Sequence, residues 1–550
     1  MPVIAFPTQT QPMPSLSLVH ELIALTANQA PTARALTYGT EHLSYAALWQ
    51  EVNCLANGLL QLGLARGDRV AVYLEKRLET PVGIFAPVTA GGAFVPINPL
   101  LKAEQVRHII ADCNVRFLIT TAERLALIQS IFPDCPDLQH VILIGQTRDA
   151  SQPGPNIHAW SEVLQAQARA GHRTIDTDMA GILYTSGSTG HPKGVVVSHR
   201  NLVAGAQSVA SYLGNHADDT LLAALPLSFD AGLSQLTTAF HAGARVVLLN
   251  YLLPRDVIKA IEREKVTGLT AVPPLYLQLA QLNWPAEITE HLRYFANTGG
   301  RLPVDTLRSL RRHLPKTQTF LMYGLTEAFR STYLPPSEVE NRPDSIGKAI
   351  PNAEILVLRE DGTPCAPDEP GELVHRGPLV SLGYWNDPAK TAERFKPLPA
   401  GLHPGRVLPE IAVFSGDTVR QDAEGYLYFI GRKDEMIKTS GYRVSPSEVE
   451  EILYRSGLVS ECAAYGVDDP MLGQAIHVAL ITNDQAPLDN AQLLQHCRAE
   501  MPAYMVPKVF DQCAGPLPRN PNGKIDRKRI AADWQARHHQ ATELRNEPTA

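Results

Sequence analysis

Short apolar runs of strand-like composition at residues 69–74, 116–120, 140–144 and 244–249 alternate with longer helix-like segments such as residues 44–62 and 256–265. Elements arriving in that rhythm can bury their apolar faces together only as layers, with helices covering a largely parallel sheet. The alternation persists to about residue 430 and predicts a large α/β domain. Beyond Gly431 the texture changes. Ser445-Pro446-Ser447-Glu448 has the form of a capping box with proline at the first helical position, which predicts a helix over residues 446–455. Strand-like residues 461–467 and 474–482, a helix-like segment at 490–500 and an apolar run at 506–510 complete a second, small α/β unit. From Ala532 the chain is rich in Gln, Arg, His and Glu and is expected to fray.

At 550 residues the chain exceeds the roughly 100 to 200 residues of a single core, in keeping with two domains. Apolar residues at 44% and charged residues at 19% exclude bulk disorder. The net charge of −7, with no long basic run, argues against a nucleic-acid scaffold. The longest uncharged stretch, residues 80–101, is broken by Pro81, Pro87, Pro96 and Pro99 with Gly83, Gly91 and Gly92, so it reads as buried globular structure, with no membrane span. The first residues lack a basic segment followed by an apolar one, so a cytoplasmic protein is expected. Seven scattered cysteines without a CxxC pair read as reduced thiols in ordinary packing.

The strongest chemical signal is the string YTSGSTGHPKG at residues 184–194. Hydroxyl residues and glycines lie between two strand-like runs, and Lys193 closes the loop. Freed backbone amides, hydroxyl donors and an ammonium suit a polyphosphate. The GxxxxGK[ST] pattern fails, because Pro192 precedes Lys193, Gly194 follows it, and the next element is a strand, so a Walker-type loop is disfavoured. A second cluster, Met322-Tyr323-Gly324-Leu325-Thr326-Glu327, sets a carboxylate and a hydroxyl at a strand end, a pattern that can hold Mg²⁺ on a phosphate, with a Tyr able to stack on a base. Ser415-Gly416-Asp417 and, fifteen residues on, Arg432 offer an acceptor and a donor for ribose hydroxyls. Finally, residues 518–528, with Lys524, form a polar turn presenting a lysine.

Together and in this order, YTSGSTGHPKG, YGLTE, SGD, GRKDEMIKTSGYRVSPSEVE and PRNPNGKIDRK resemble the adenylate-forming superfamily of acyl- and aryl-CoA synthetases and nonribosomal-peptide adenylation domains. In the detail of residues 321–336, 343–355, 371–388 and 432–454 the chain is most similar to AMP-forming acyl-CoA ligases associated with exosortase systems. The resemblance implies a large multi-sheet N-terminal α/β domain over residues 1–431, a hinge at 432–434 with Asp434, a small mobile C-terminal α/β domain over 435–531 and a flexible tail at 532–550. It implies a two-step reaction. A carboxylate attacks the α-phosphate of Mg-ATP to give an acyl-adenylate, and a pantetheine thiol then displaces AMP. By motif position, Thr185, Ser186, Gly187, Ser188, Thr189, Gly190 and Lys193 would hold the β- and γ-phosphates. Thr326 and Glu327 would hold the α-phosphate and Mg²⁺, Tyr323 and Gly324 the adenine, Asp417 and Arg432 the ribose, and Phe429 would line the nucleotide site. Lys524 would bridge the attacking carboxylate and the α-phosphate, offsetting charge as two anions meet. Lys438 and Gly441 would line the pantetheine tunnel once the small domain rotates.

The substrate clue is Phe229-Asp230-Ala231. Amino-acid-activating members of the superfamily carry Asp after the corresponding aromatic residue, to pair with the substrate ammonium, so Asp230 points to an amino group on the acid. The alternative is that Asp230 bonds a backbone turn or a protein Arg. Arg330 could neutralise Asp230 or bind a second carboxylate of the substrate. Ser234, Ala271, Ala296, Thr298, Met322 and Ser331 would be further walls of the acyl pocket. The thiol acceptor is expected from outside the chain, as CoA or a phosphopantetheinyl carrier protein. Two other readings stay open: an enzyme that uses the adenylate without a thioester step, and a catalytically silent nucleotide-binding protein, which the presence of Lys193, Glu327, Asp417, Arg432 and Lys524 disfavours.

Overall fold

The structure, a computed structural model, describes residues 16–145, 154–185, 192–300, 302, 304–402, 408–432, 437–444, 446–483, 487–518 and 525–546. Among these, two large sheets dominate the N-terminal domain. One has seven strands, in the order Asn156–Ala159, His140–Ile144, Val115–Thr121, Arg69–Tyr73, Ala93–Pro96, Met179–Thr185, Lys193–Ser198. The other has nine, with a parallel centre of Tyr294–Asn297, Gly268–Ala271, Thr220–Ala223 and Arg245–Leu248 flanked by Gln318–Tyr323 and Arg34–Tyr38. The alternation read from the sequence thus produces two sheets from one rhythm.

A shared helical layer joins them. Helices Tyr45–Gln61, Glu79–Ala90, His199–Leu213 and Asp230–Ala242 contribute to one apolar cluster with Val70, Val72 and Phe94 of the first sheet and Leu221, Ala223 and Val246 of the second. Local chemistry sets the helix ends. Ser44 accepts from the Ala47 amide, and Ser198 and Asn201 form a reciprocal capping box. The proline-rich uncharged stretch is buried as helix Glu79–Ala90 and strand Ala93–Pro96, with Pro87 accommodated near the helix end.

A third sheet, antiparallel, contains Glu354–Leu358, Gly371–Arg376, Ile411–Gln421, Phe395–Pro397 and Leu427–Arg432. The small C-terminal domain has its own antiparallel sheet of Tyr442–Val444, Ile437–Thr439, Gly473–Thr482 and Val459–Asp469, joined by Val509–Gln512. Helices Pro446–Arg455 and Asn490–Glu500 pack beside it around Val449, Leu453, Leu493 and Cys497. The expected fraying from Ala532 is corrected: helix Arg527–Asn546 runs through that segment. Its start is anchored by buried Ile530, by the edge-on contact of Trp534 with His477 at 4.4 Å and by the Arg537–Asp511 ion pair at 2.7 Å. Ala, Gln and Arg are good helix formers, and the few apolar side chains of this segment are spent on docking. No helix among the described residues is long and apolar enough to cross a membrane, and all seven cysteines are free thiols.

Candidate functional site

Parallel strands deliver their C-terminal ends to one edge of the nine-stranded sheet, where ligands bind in open α/β sheets. In register, Ala271 pairs with Asn297 and Asn297 with Leu321, so strands Gly268–Ala271, Tyr294–Asn297 and Gln318–Tyr323 end side by side. Tyr323, Gly324, Thr326 and Glu327 follow directly, the last two opening the short turn Thr326–Ala328.

The strands Met179–Thr185 and Lys193–Ser198 that flank the 184–194 motif pair antiparallel. Thr185 and Lys193 are direct cross-strand neighbours, so the loop starts and ends at one residue pair. Ser186, Gly187, Ser188, Thr189 and Gly190 lie outside the described residues. Lys193 stands over the ring of Tyr384, 5.7 Å from its centroid. The Tyr384 hydroxyl donates to Glu327 Oε1 at 2.6 Å. Lys193 and Glu327 therefore meet at one tyrosine. Burial lowers the Lys193 pKa, with Lys390 adding to the effect and the Glu327 carboxylate opposing it. Tyr384 carried no role in the sequence reading, although the glycine-aromatic pair Gly383-Tyr384 was its available signal.

The ribose and adenine candidates come together at the third sheet. Asp417 and Arg432 are cross-strand partners in the ladder between Ile411–Gln421 and Leu427–Arg432. The Tyr323 hydroxyl donates to buried Asp417 at 2.5 Å, and Phe429 lies 6.4 Å from Tyr323, ring to ring. Tyr323, Gly324 and Phe429 line a cleft of about 950 Å³, which Lys438 and Gly441 of the small domain also wall. Lys438 is set over the Phe429 ring at 4.3 Å. Gly441 has φ +81°, and a Cβ there would stand 2.9 Å from the Val272 side chain, so both conformation and closeness require glycine. Asp434 and Lys524 lie outside the described residues.

The acyl candidates divide into two groups. Ala231, Ser234, Met322 and Arg330 line a small cavity of about 20 Å³ beneath the sheet edge. Phe229, Asp230, Ala271, Ala296, Thr298 and Ser331 are not among its walls. Ala271 and Ala296 are instead consumed by strand packing, and the Thr298 amide donates to Ala271 O at 3.0 Å. Ser331 is fully buried, with its hydroxyl 3.0 Å from His375 Nδ1 on strand Gly371–Arg376. Asp230 is the first residue of helix Asp230–Ala242, where the helix dipole favours an anion. Its Oδ2 is 3.3 Å from Nη1 of Arg330, which is 2% exposed.

Arg330 follows Phe329, which has φ +56° and ψ −54°, a conformation that L-residues avoid. The fully buried Phe329 ring fits against Gly205, where a Cβ would come within 2.6 Å of it. Behind the loop that precedes Asp230, buried Lys76 donates to the carbonyls of Ala224 at 2.7 Å and Leu225 at 3.3 Å. Burial pulls its pKa down to about 7. Neither Lys76 nor the Phe329 strain was visible in the sequence.

Comparison with known proteins identifies the family. Residues 23–385 match the AMP-binding enzyme family and residues 448–524 match the AMP-binding enzyme C-terminal domain. The chain is 32% identical to an L-proline--[L-prolyl-carrier protein] ligase of Streptomyces coelicolor, covering 91% of this chain and 94% of that protein. It is 31% identical to a feruloyl-CoA synthase of an Amycolatopsis species, covering 91% and 95%. It also spans about 8% of bacitracin synthase 3 of Bacillus licheniformis, at 30% identity over 94% of this chain. Among solved structures, an o-succinylbenzoate CoA synthetase of Bacillus subtilis superposes with a TM-score of 0.79 at 26% identity, covering 93% and 98% of the two chains. The chain belongs to the AMP-binding enzyme family and is an adenylate-forming, AMP-forming acid ligase with a large N-terminal and a small C-terminal domain.

Proposed function

We propose that this ligase activates an amino-acid-like carboxylic acid with ATP and passes the acyl group to a pantetheine thiol, of CoA or of a carrier protein. The observation that carries the amino-acid reading is Asp230: a partly buried carboxylate in the first turn of its helix, whose protein partner Arg330 reaches it only through one 3.3 Å contact. Such a carboxylate has acceptor capacity left for an ammonium. The likeness to a ligase named for L-proline and its carrier protein supports the same reading.

In this reading Lys193 and the 185–190 loop hold the β- and γ-phosphates, while Tyr323 and Phe429 flank the base and Asp417 and Arg432 the ribose. Thr326 and Glu327 meet the α-phosphate. A hydroxyl beside a carboxylate fits Mg²⁺, which takes few protein oxygens and completes its sphere with phosphate and water. When bound, the ion offsets charge on the phosphates. Glu327 is held in place by the Tyr384 hydroxyl. Lys524 steadies the carboxylate as it attacks, releasing pyrophosphate. The small domain then turns about Asp434, and Lys438 and Gly441 line the path by which the thiol displaces AMP.

ATP–pyrophosphate exchange with pooled amino acids, β-amino acids, dicarboxylic, fatty and aryl acids tests the proposal. Exchange with an amino-acid pool is expected. Exchange confined to acids without nitrogen would overturn the amino-acid reading and leave an acyl-CoA ligase. Lys524→Ala is expected to abolish exchange yet still consume preformed acyl-adenylate.

A further inference from the structure

Arg330 is more buried than its partners explain. Its side chain is 3% exposed, yet among the described residues its polar contacts are one 3.3 Å approach to Asp230 and one of 3.3 Å to the Phe329 carbonyl, beside the Phe329 ring 6.0 Å away. Charge-assisted pairs of this type close to about 2.7–2.9 Å and are commonly bidentate. Among the described residues its buried Nε–H has no hydrogen-bond partner, an arrangement that costs free energy unless something completes it.

Arg330 also lines the small cavity. The other polar side chains on its walls are Ser234 and Thr238, whose hydroxyls are 3.5 Å apart, Gln235, Thr270, and Tyr294, whose hydroxyl accepts from Asn215 Nδ2 at 3.1 Å. The Gln235 amide is spent on backbone, accepting from Leu225 N at 3.2 Å and donating to Leu222 O at 2.7 Å. The cavity's roughly 20 Å³ is near the space one water needs, so it admits an oxygen and little more. The backbone strain at Phe329, held by the Gly205 contact, aims the arginine here and persists because its surroundings fix it.

We propose that Arg330, with Ser234 and Thr238, forms a side-chain subsite for a hydrogen-bond-accepting oxygen, so that the preferred acid carries a short side chain ending in a hydroxyl or carboxylate. The inference rests on the amino-acid reading above, but a separate observation carries it. Arg330 accordingly determines specificity within the pocket, while Asp230 faces the amino group.

The test is ATP–pyrophosphate exchange by the full chain across two independent contrasts. Serine and aspartate are compared with alanine and 2-aminobutyrate, and 3-hydroxypropionate and succinate with propionate and butyrate. The oxygen-bearing acids are expected to exceed their alkyl counterparts by at least about tenfold in kcat/KM, since a site built for an oxygen rejects the analogue lacking it. Which of serine and aspartate leads separates hydroxyl from carboxylate. The nitrogen contrast decides the amino-acid reading by itself: if only the nitrogen-free row reacts, that reading fails, and the oxygen contrast within the row still decides the subsite. Alkyl acids matching the oxygen-bearing ones, or exchange with none of the eight, overturns the subsite. In Arg330→Met the oxygen preference should collapse to within about threefold. The paired Asp230→Asn/Arg330→Met variant, which leaves no charge buried alone, should lose the same preference. The wild-type contrast stands even if neither variant folds.

Discussion

Tyr442 of the small domain meets Phe229 of the large domain edge-on, with ring centroids 5.2 Å apart, one residue before Asp230. Tyr504 stacks on the far face of Tyr442 at 3.6 Å. An aromatic contact of this type contributes about 0.5–1.5 kcal/mol. Tyr442→Ala is therefore expected to weaken this domain arrangement and slow thiol-dependent AMP release several-fold, with pyrophosphate exchange unchanged. Single-turnover assays of the two half-reactions check it, and an equal loss in both would sink it.

Tyr384→Phe keeps the ring beneath Lys193 but removes the hydrogen bond to Glu327. Hydrogen bonds to charged groups contribute about 1.5–3 kcal/mol. Steady-state exchange kinetics should show kcat/KM for ATP reduced about tenfold or more, with far-UV circular dichroism unchanged. Wild-type kinetics in the variant would mean that Glu327 needs no such support.

Gly205→Ala puts a methyl group 2.6 Å from the Phe329 ring. Overpacking of this kind costs about 1–3 kcal/mol, and relief must move the segment that aims Arg330. Denaturant unfolding should register the loss, and KM for the acid should rise more than KM for ATP. If neither KM moves, Phe329 does not position Arg330.

Burial drives the His375 pKa from 6.5 down to about 3. The unfolded chain then binds a proton between those values that the folded chain refuses, so stability is full above about pH 6.5 and falls as pH drops toward 3. Between pH 7.5 and 5.5 this one group should remove about 1.4 kcal/mol. Urea unfolding of His375→Asn at the two pH values should show that much less acid sensitivity than the wild type. An unchanged slope would exclude His375 as a source.

Much of the site could be read from the sequence because its parts are local. The 184–194 motif declares itself by glycines and hydroxyls between strand-like runs, and Thr185 faces Lys193 across the ladder. Asp417 and Arg432 are likewise opposed on paired strands. What escaped depends on contacts between distant residues or on backbone shape. Lys76 and Ala224 are 148 residues apart, and no pattern announces that Phe329 adopts φ +56°. Ser331, beside Arg330 in sequence, turns instead to His375, because successive residues of an extended chain face opposite ways. The helix Arg527–Asn546 was missed because its polar composition hides docking through a few side chains such as Ile530 and Trp534.

The amine of Lys76 fastens the carbonyls of Ala224 and Leu225 from a segment about 150 residues upstream, in the lobe of the other sheet. Anyone retooling this enzyme for a new acid would naturally randomise the residues that touch the acyl group. Such a library would leave the scaffold of the substrate loop frozen. Including position 76 gives directed evolution a lever on loop geometry that no mutation inside the pocket supplies.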